Sequence, residues 1–219
     1  MRLVAPSLLA ADFLNLGKAV EIVNTYADIF HVDVMDGTLV PNISFGFPVV
    51  DAVAPVARKP LDVHLMIVHP EKYIPRFAKA GASMISFHLE AAWQEDKDPS
   101  EIIGLIHDSG CKAGMAINPD IPVEKVFPYL KDLDYLLIMS VFAGFGGQKF
   151  REETYERVRS AKAEIGRLGT ECLIEVDGGV GPGNADALAE AGVSMFVAGS
   201  AVFKSENPAA VCRAIRGDR

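Results

Sequence analysis

The sequence predicts a (β/α)8 barrel, and three observations carry the prediction. Short apolar runs recur along the 219 residues, amphipathic stretches fill the gaps between them, and the repeat is about 27 residues long. Strands alternating with helices at that spacing are parallel βα units. A count of eight runs favours closure into a barrel, with a doubly wound open sheet as the alternative. No linker or composition break divides the chain, so one domain over residues 1–219 is expected.

The expected strands are residues 3–9, 29–35, 61–67, 84–90, 112–118, 135–141, 172–176 and 195–202. The first brings Ser7 to its end. The second alternates: Val32 and Val34 face one way, and His31, Asp33 and Met35 the other, because residues i and i+2 share a face of a strand. His64 lies on the third strand, Asn118 closes the fifth, Ser140 lies on the sixth, Asp177 follows the seventh and Ser200 lies on the eighth. Between them, residues 11–27, 70–81 and 151–169 read as helices, the last with apolar positions at helical spacing and Gly169 as its C-cap.

Composition narrows the function. Half the residues are hydrophobic, and the net charge of −8 is spread over interspersed acids and bases. That excludes the basic patch nucleic-acid binding needs, so no nucleic-acid partner is expected. A phosphorylated substrate stays open, since backbone N–H groups can hold a phosphate. Three scattered cysteines without a CxxC pair point to a reducing cytoplasm. The N-terminal apolar stretch is too short for a signal peptide, and no run of about eighteen apolar residues suggests a membrane span.

In barrels of this kind the active site lies at the carboxyl ends of the strands. Ser7, His31, Asp33, His64, Asn118, Ser140, Asp177 and Ser200 all fall there, with Met35, Met66, Met115 and Met139 at or near the same rim. His31, His64, Asp33 and Asp177 could converge on a divalent metal through N and O donors, or form a metal-free hydrogen-bonded network. His69, His88 and His107 are expected to be structural or surface residues, and Glu175 to face inward beside Asp177 without an assigned role. Glycine-containing segments at 144–148 and 177–180 follow strands 6 and 7, and a third at 198–200 lies in strand 8. They suit a phosphate clamp built on backbone donors, because only Lys149 adds a positive charge.

The motifs "APSLLAADF" (5–13), "HVDVMDGTLVPNISFG" (31–46), "LDVHLM" (61–66), "GFGGQ" (144–148), "EVDGGV" (175–180) and "VAGSAVF" (197–203) resemble those of the ribulose-phosphate 3-epimerase family, in order along nearly the whole chain. The resemblance implies a barrel that interconverts D-ribulose 5-phosphate and D-xylulose 5-phosphate. It implies that His31, Asp33, His64 and Asp177 bind one divalent ion (zinc, iron(II), manganese or cobalt) and that the two aspartates exchange protons. Met35, Met66 and Met139 would line the reacting face and Ser7 would contact the substrate. Gly144, Phe145, Gly146 and Gly147, with Gly178, Gly179, Gly199 and Ser200, would hold the phosphate. Family members form dimers or hexamers, so a homo-oligomer is expected.

Two departures stand out. The family's loop after strand 6 usually carries Asn-Pro or Glu-Pro where this chain has Phe142 and Ala143, which removes the proline's φ restraint from an expected lid. Gly181 replaces a usual Asn. Epimerisation at C3 takes a proton from one face and returns one to the other, which two opposed acid–base groups such as Asp33 and Asp177 can do. A D-allulose-6-phosphate 3-epimerase shares these motifs and stays open. A decarboxylase or aldolase of the phosphate-binding barrels would need a Lys where this chain has His64.

Overall fold

The computed structural model describes residues 2–218; Met1 and Arg219 of the expected 1–219 domain lie outside them. Eight parallel strands alternate with helices: β1 (Leu3–Ala5), β2 (Phe30–Met35), β3 (Leu61–Met66), β4 (Met84–His88), β5 (Lys112–Ile117), β6 (Tyr135–Met139), β7 (Leu173–Asp177) and β8 (Met195–Val197). The sheet runs β1-β8-β7-β6-β5-β4-β3-β2. It closes between β1 and β2, where Val4 O accepts from Asp28 N and Ile29 N, Pro6 O accepts from His31 N, and Ser7 bridges to His31. This is the (β/α)8 barrel the sequence predicts, not an open doubly wound sheet.

The helices are α1 (Leu16–Tyr26), α2 (Phe47–Val53), α3 (Ile74–Ala80), α4 (Leu89–Gln94), α5 (Pro99–Asp108), α6 (Thr154–Leu168), α7 (Ala185–Ala191), α8 (Ser200–Phe203) and α9 (Pro208–Arg216). Gly169 closes α6 in the left-handed region at φ 65°, the C-cap its sequence announces. The β5-to-β6 crossover is a 3-10 run, Val123–Tyr129, because Pro128 lies inside it and cannot donate to an α-helical bond.

Several expected strands end early, among them strand 6, which stops at Met139 and leaves Ser140 just beyond it. Strand 1 stops at Ala5: Pro6 has no N–H for the ladder, and Ser7 instead caps a 3-10 turn by accepting from Leu9 N at 3.2 Å. Strand 8 stops at Val197, and Ser200, expected on the strand, opens α8. β4 likewise stops at His88, where Leu89 begins α4.

The main apolar core lies between the sheet and its helices, built from outward residues such as Val32, Val34, Val63, Leu65, Ile138 and Val176. Each such side chain contributes about 1.5–3 kcal/mol on full burial. Inside the barrel, two small apolar clusters sit at opposite ends. Met35, Met66, Ala116, Leu137 and Met139 lie near the carboxyl rim, and Ile29, Met84, Tyr135 and Met195 form the floor. Between them lies a buried polar layer: His31, Asp33, Asp62, His64, Ser86, His88 and Glu175. Met115, expected at the rim, faces the helices instead and belongs to the outer core. Its neighbours Gly114 and Ala116 take the inward positions of β5, since strand faces alternate.

Candidate active site

Registers across the barrel stack the inward residues of β2 and β3 pair by pair: His31 beside Asp62, Asp33 beside His64, Met35 beside Met66. On β7, Asp177 pairs with Met139 of β6 and Val197 of β8. The result brings His31, Asp33, His64 and Asp177 together, with one donor atom from each lying within 4.8 Å of the others. His31 Nε2 lies 3.3 Å from Asp33 Oδ1, and His64 Nδ1 lies 3.1 Å from the same oxygen. Ser7 Oγ donates to Asp33 Oδ2 at 2.5 Å.

His31 is anchored from behind. Its Nδ1 lies 2.7 Å from Asp62 Oδ2, and Tyr135 Oη donates to Asp62 Oδ1 at 2.6 Å. With Nδ1 taken, Nε2 points into the cluster, fully buried and without a hydrogen-bond partner among the described residues. A buried polar nitrogen in that condition costs free energy unless something fills the gap. The His2Asp2 donor set around it, borderline nitrogen with hard oxygen, fits a divalent first-row cation. The residues present can therefore hold a metal.

The same environment sets the protonation states. Burial opposes a charge on His31, but Asp33 and Asp62 together outweigh it and raise its pKa well above the usual value. A cation at Nε2 must displace that proton, so metal uptake releases a proton. Burial also works against an ionised Asp33, yet His31 and the hydrogen bonds from both imidazoles hold its carboxyl well below the ordinary range. Asp177 goes the other way, pushed up to about 7 by burial and by the negative charge of Asp33. Burial drives His64 down to about 4 against the pull of Asp33, leaving it neutral near pH 7. Around neutrality one aspartate is thus ionised while the other still carries a proton for part of the time.

Above this layer one cavity is lined by Ser7, Asp33, Met35, Met66, Met139, Asp177, Gly144, Phe145, Gly146, Gly147, Gly178, Gly179, Gly199 and Ser200. All the residues expected to touch substrate thus meet in one place. His31 and His64 lie beneath it as metal-capable donors. Lys149 is exposed and does not line the cavity, whereas Lys204 borders an adjoining recess with Gly146, Gly147 and Ser200. Gly178 and Gly179 adopt positive φ, and a side chain on Gly179 would meet the Phe150 backbone N at 2.5 Å. Ser140 Oγ donates to the carbonyl of Gly178. Asn184 accepts from Gly181 N at 2.9 Å and donates to Gly179 O at 3.0 Å, so it ties the turn from which the usual Asn at 181 is missing.

The loop after β6 is strapped although it lacks proline. Gln148 Nε2 donates to Phe142 O at 2.8 Å and Phe145 O at 2.9 Å, and Asn42 donates to Gly144 O at 2.8 Å. Asn118 accepts from Ala143 N at 2.8 Å, and Arg151 lies over the Phe142 ring, 5.5 Å from its centroid. Gln148, Asn42 and Asp62 lie within the motifs quoted above but carry no role there, and Tyr135 lies outside them. Asp62 could have been found by strand parity, two residues before His64.

Of the two alternatives expected for His88, the structure shows the buried one: it is not a surface residue but is fully buried, with Nε2 2.9 Å from His64 Nε2. Its parity with Ser86, the β4 partner of His64, is the signal that would have placed it. His69 is partly exposed near Glu71 and Glu95, and His107 is exposed beside Asp134, as expected. Glu175 does face inward, fully buried, with Oε1 3.7 Å from His31 Nδ1. Burial first, then the charge of Asp62, raises its pKa well above the usual value.

Eight βα units with an acid–base cluster at the carboxyl rim define a (β/α)8-barrel enzyme. The model of the ribulose-phosphate 3-epimerase family matches residues 3–203, and the chain belongs to that family of epimerases. A ribulose-phosphate 3-epimerase from Bacillus subtilis is 45% identical over 218 residues, covering 99% of both chains. Ribulose-phosphate 3-epimerase 1 from Cupriavidus necator is 47% identical over 205 residues, covering 91% of this chain and 83% of that protein. Among solved structures, KGPDC from Streptococcus mutans superposes with a TM-score of 0.74 at 14% identity, covering 100% of this chain and 97% of that one. That likeness shows the shared fold.

Proposed function

We propose that the protein interconverts D-ribulose 5-phosphate and D-xylulose 5-phosphate by proton transfer at C3. One observation carries the reading: Asp33 and Asp177, on β2 and β7, line the same cavity with opposed protonation tendencies. Asp33, ionised and oriented by Ser7 Oγ, takes the C3 proton, and the electron pair of the broken C–H bond moves into the C2 ketone to give an enediolate. Asp177 delivers its proton to C3 from the other face, inverting that carbon. In the reverse direction the two exchange roles, and solvent restores the starting protonation.

His31, Asp33, His64 and Asp177 would hold one divalent ion, of the zinc, iron(II), manganese and cobalt group. When bound, the ion supplies Lewis-acid polarisation of the ketone, worth several kcal/mol. Met35, Met66 and Met139 keep water from the reacting carbons without offering a proton. Backbone groups of residues 144–147, 178–179 and 199–200 would hold the phosphate. A homo-oligomer is supported by exposed apolar side chains at Leu14 and Ile43, 93% and 74% accessible, and light scattering would test it. A cytoplasmic setting is supported by three free, buried cysteines, and fractionation would test it. No helix among the described residues is long and apolar enough to cross a membrane.

Proton NMR with D-ribulose 5-phosphate in D2O tests the reaction. Xylulose 5-phosphate carrying deuterium at C3 is the expected product. Exchange at C3 without net conversion would leave one competent aspartate and refute the two-sided scheme. Inertness towards this substrate with turnover of D-allulose 6-phosphate would move the assignment to the six-carbon sugar.

A further inference from the structure

The two imidazoles of the His2Asp2 cluster present different nitrogens. His31 offers Nε2 and His64 offers Nδ1. A neutral imidazole that gives a lone pair to a cation must carry its proton on the other nitrogen, which then needs an acceptor. For His31 that acceptor is the Asp62 carboxylate. For His64 the nitrogen in question is Nε2, and its hydrogen-bond partner is another imidazole, His88 Nε2, at 2.9 Å. Both rings are fully buried and lie nearly parallel, with an interplanar angle of 17°.

A contact between two Nε2 atoms holds one proton, and which ring owns it depends on what lies at the far ends. At the inner end, Asp33 Oδ1 faces His64 Nδ1 and favours a proton there, which would block that nitrogen as a ligand. At the outer end, His88 Nδ1 has no hydrogen-bond partner among the described residues, and the group facing it is Glu90 Oε1 at 3.6 Å. That distance is an electrostatic contact and too long for a hydrogen bond. The carboxylate nevertheless favours a proton on His88 Nδ1, which leaves His88 Nε2 bare to accept from His64. Glu90 is itself held in place, accepting from Asn118 N at 2.9 Å.

We propose that His88 and Glu90 are positioning residues that lock His64 in its Nε2–H tautomer, so that Nδ1 presents a lone pair to the bound cation. The pull of Glu90 on one end of the imidazole pair counters the pull of Asp33 on the other. Without it, His64 keeps a proton on the nitrogen that must ligate. The proposal rests on the metal-site reading above, and cobalt(II) binding separates the two.

The test strips the protein with a chelator and titrates it with cobalt(II) against a chromophoric competitor. Glu90→Gln keeps the shape of the side chain and removes its charge. His88→Leu removes the acceptor, and His88→Gln restores one through its amide oxygen. Affinity is expected to fall roughly 10–100-fold in E90Q and H88L, the range typical for loss of a ligand's supporting partner, and to recover largely in H88Q. Nitrogen-15 spectra of histidine-labelled, metal-free protein give a second readout, which does not depend on H88L folding. His64 should show Nε2–H in the unaltered protein and a mixed tautomer in E90Q, while melting of the metal-free protein changes little. Unchanged cobalt affinity and an unchanged His64 tautomer in E90Q would overturn the proposal alone. Failure of the unaltered protein to bind cobalt would overturn the metal-site reading and this proposal together.

Discussion

Gly114→Ala would strike the interior of the barrel at its tightest point. A Cβ built on Gly114 lies 2.5 Å and 2.6 Å from the Cε2 and Cε1 carbons of Tyr135, far inside the roughly 3.5–4.0 Å at which carbons rest. The ring cannot slide away cheaply, because its hydroxyl is committed to Asp62 at 2.6 Å inside a fully buried layer. Overpacking of this kind costs about 1–3 kcal/mol, and giving up a buried hydrogen bond to a charged group costs a similar amount. A loss of about 2–3 kcal/mol follows, and for a chain of this length that lowers Tm by roughly 4–12 °C. Thermal and urea unfolding of the single variant, of Tyr135→Leu and of the double variant complete the cycle. In the Tyr135→Leu background the Gly114→Ala penalty should fall below about 0.5 kcal/mol, since the ring is gone. An equal penalty in both backgrounds would refute the idea that Tyr135 is what Gly114 makes room for.

Three further outcomes are expected. Asp33→Asn and Asp177→Asn should each lower kcat by roughly 10²–10⁴-fold, and single-turnover NMR in D2O should show C3 exchange persisting in at most one of them. For the metal-free protein, Asp177 binds its proton more tightly folded, at about 7, than unfolded, at 3.8. Its contribution to stability is therefore full below about pH 4 and is lost as pH rises through 7, and Asp177→Asn should flatten the melting-temperature profile between about pH 4 and 7. Gln148→Ala removes both bonds that strap the loop after β6, so KM should rise about three- to tenfold, as seen in initial-rate assays, with Tm within about 1 °C.

Much of the site could be read along the chain because strand geometry is local. Period-two alternation alone puts His31, Asp33 and Met35 on one face of β2, and the order of strands puts Asp177 near them. The same rule misplaced nothing when it was applied; Met115 is misplaced because the rim is there read by position and not by parity. Met115 has the outward parity of β5, and His88 has the inward parity of β4. The early ends of strands 1 and 8 depended on Pro6 and on the turn into α8, where local backbone chemistry interrupts an apolar run.

What the sequence determined by itself was the eightfold βα order, the inward His and Asp residues and the glycine loops, each a matter of spacing within a few residues. What only the tertiary structure decided was which atoms meet. Tyr135 reaches Asp62 across 73 residues of chain, Asp62 selects the nitrogen by which His31 faces the cluster, and His88 meets the opposite nitrogen of His64. Those pairings depend on the stagger of neighbouring strands around a closed barrel. No single strand encodes that stagger, because it is fixed jointly by the seven ladders, by the contacts that close β1 on β2 and by the side chains that must fit within them.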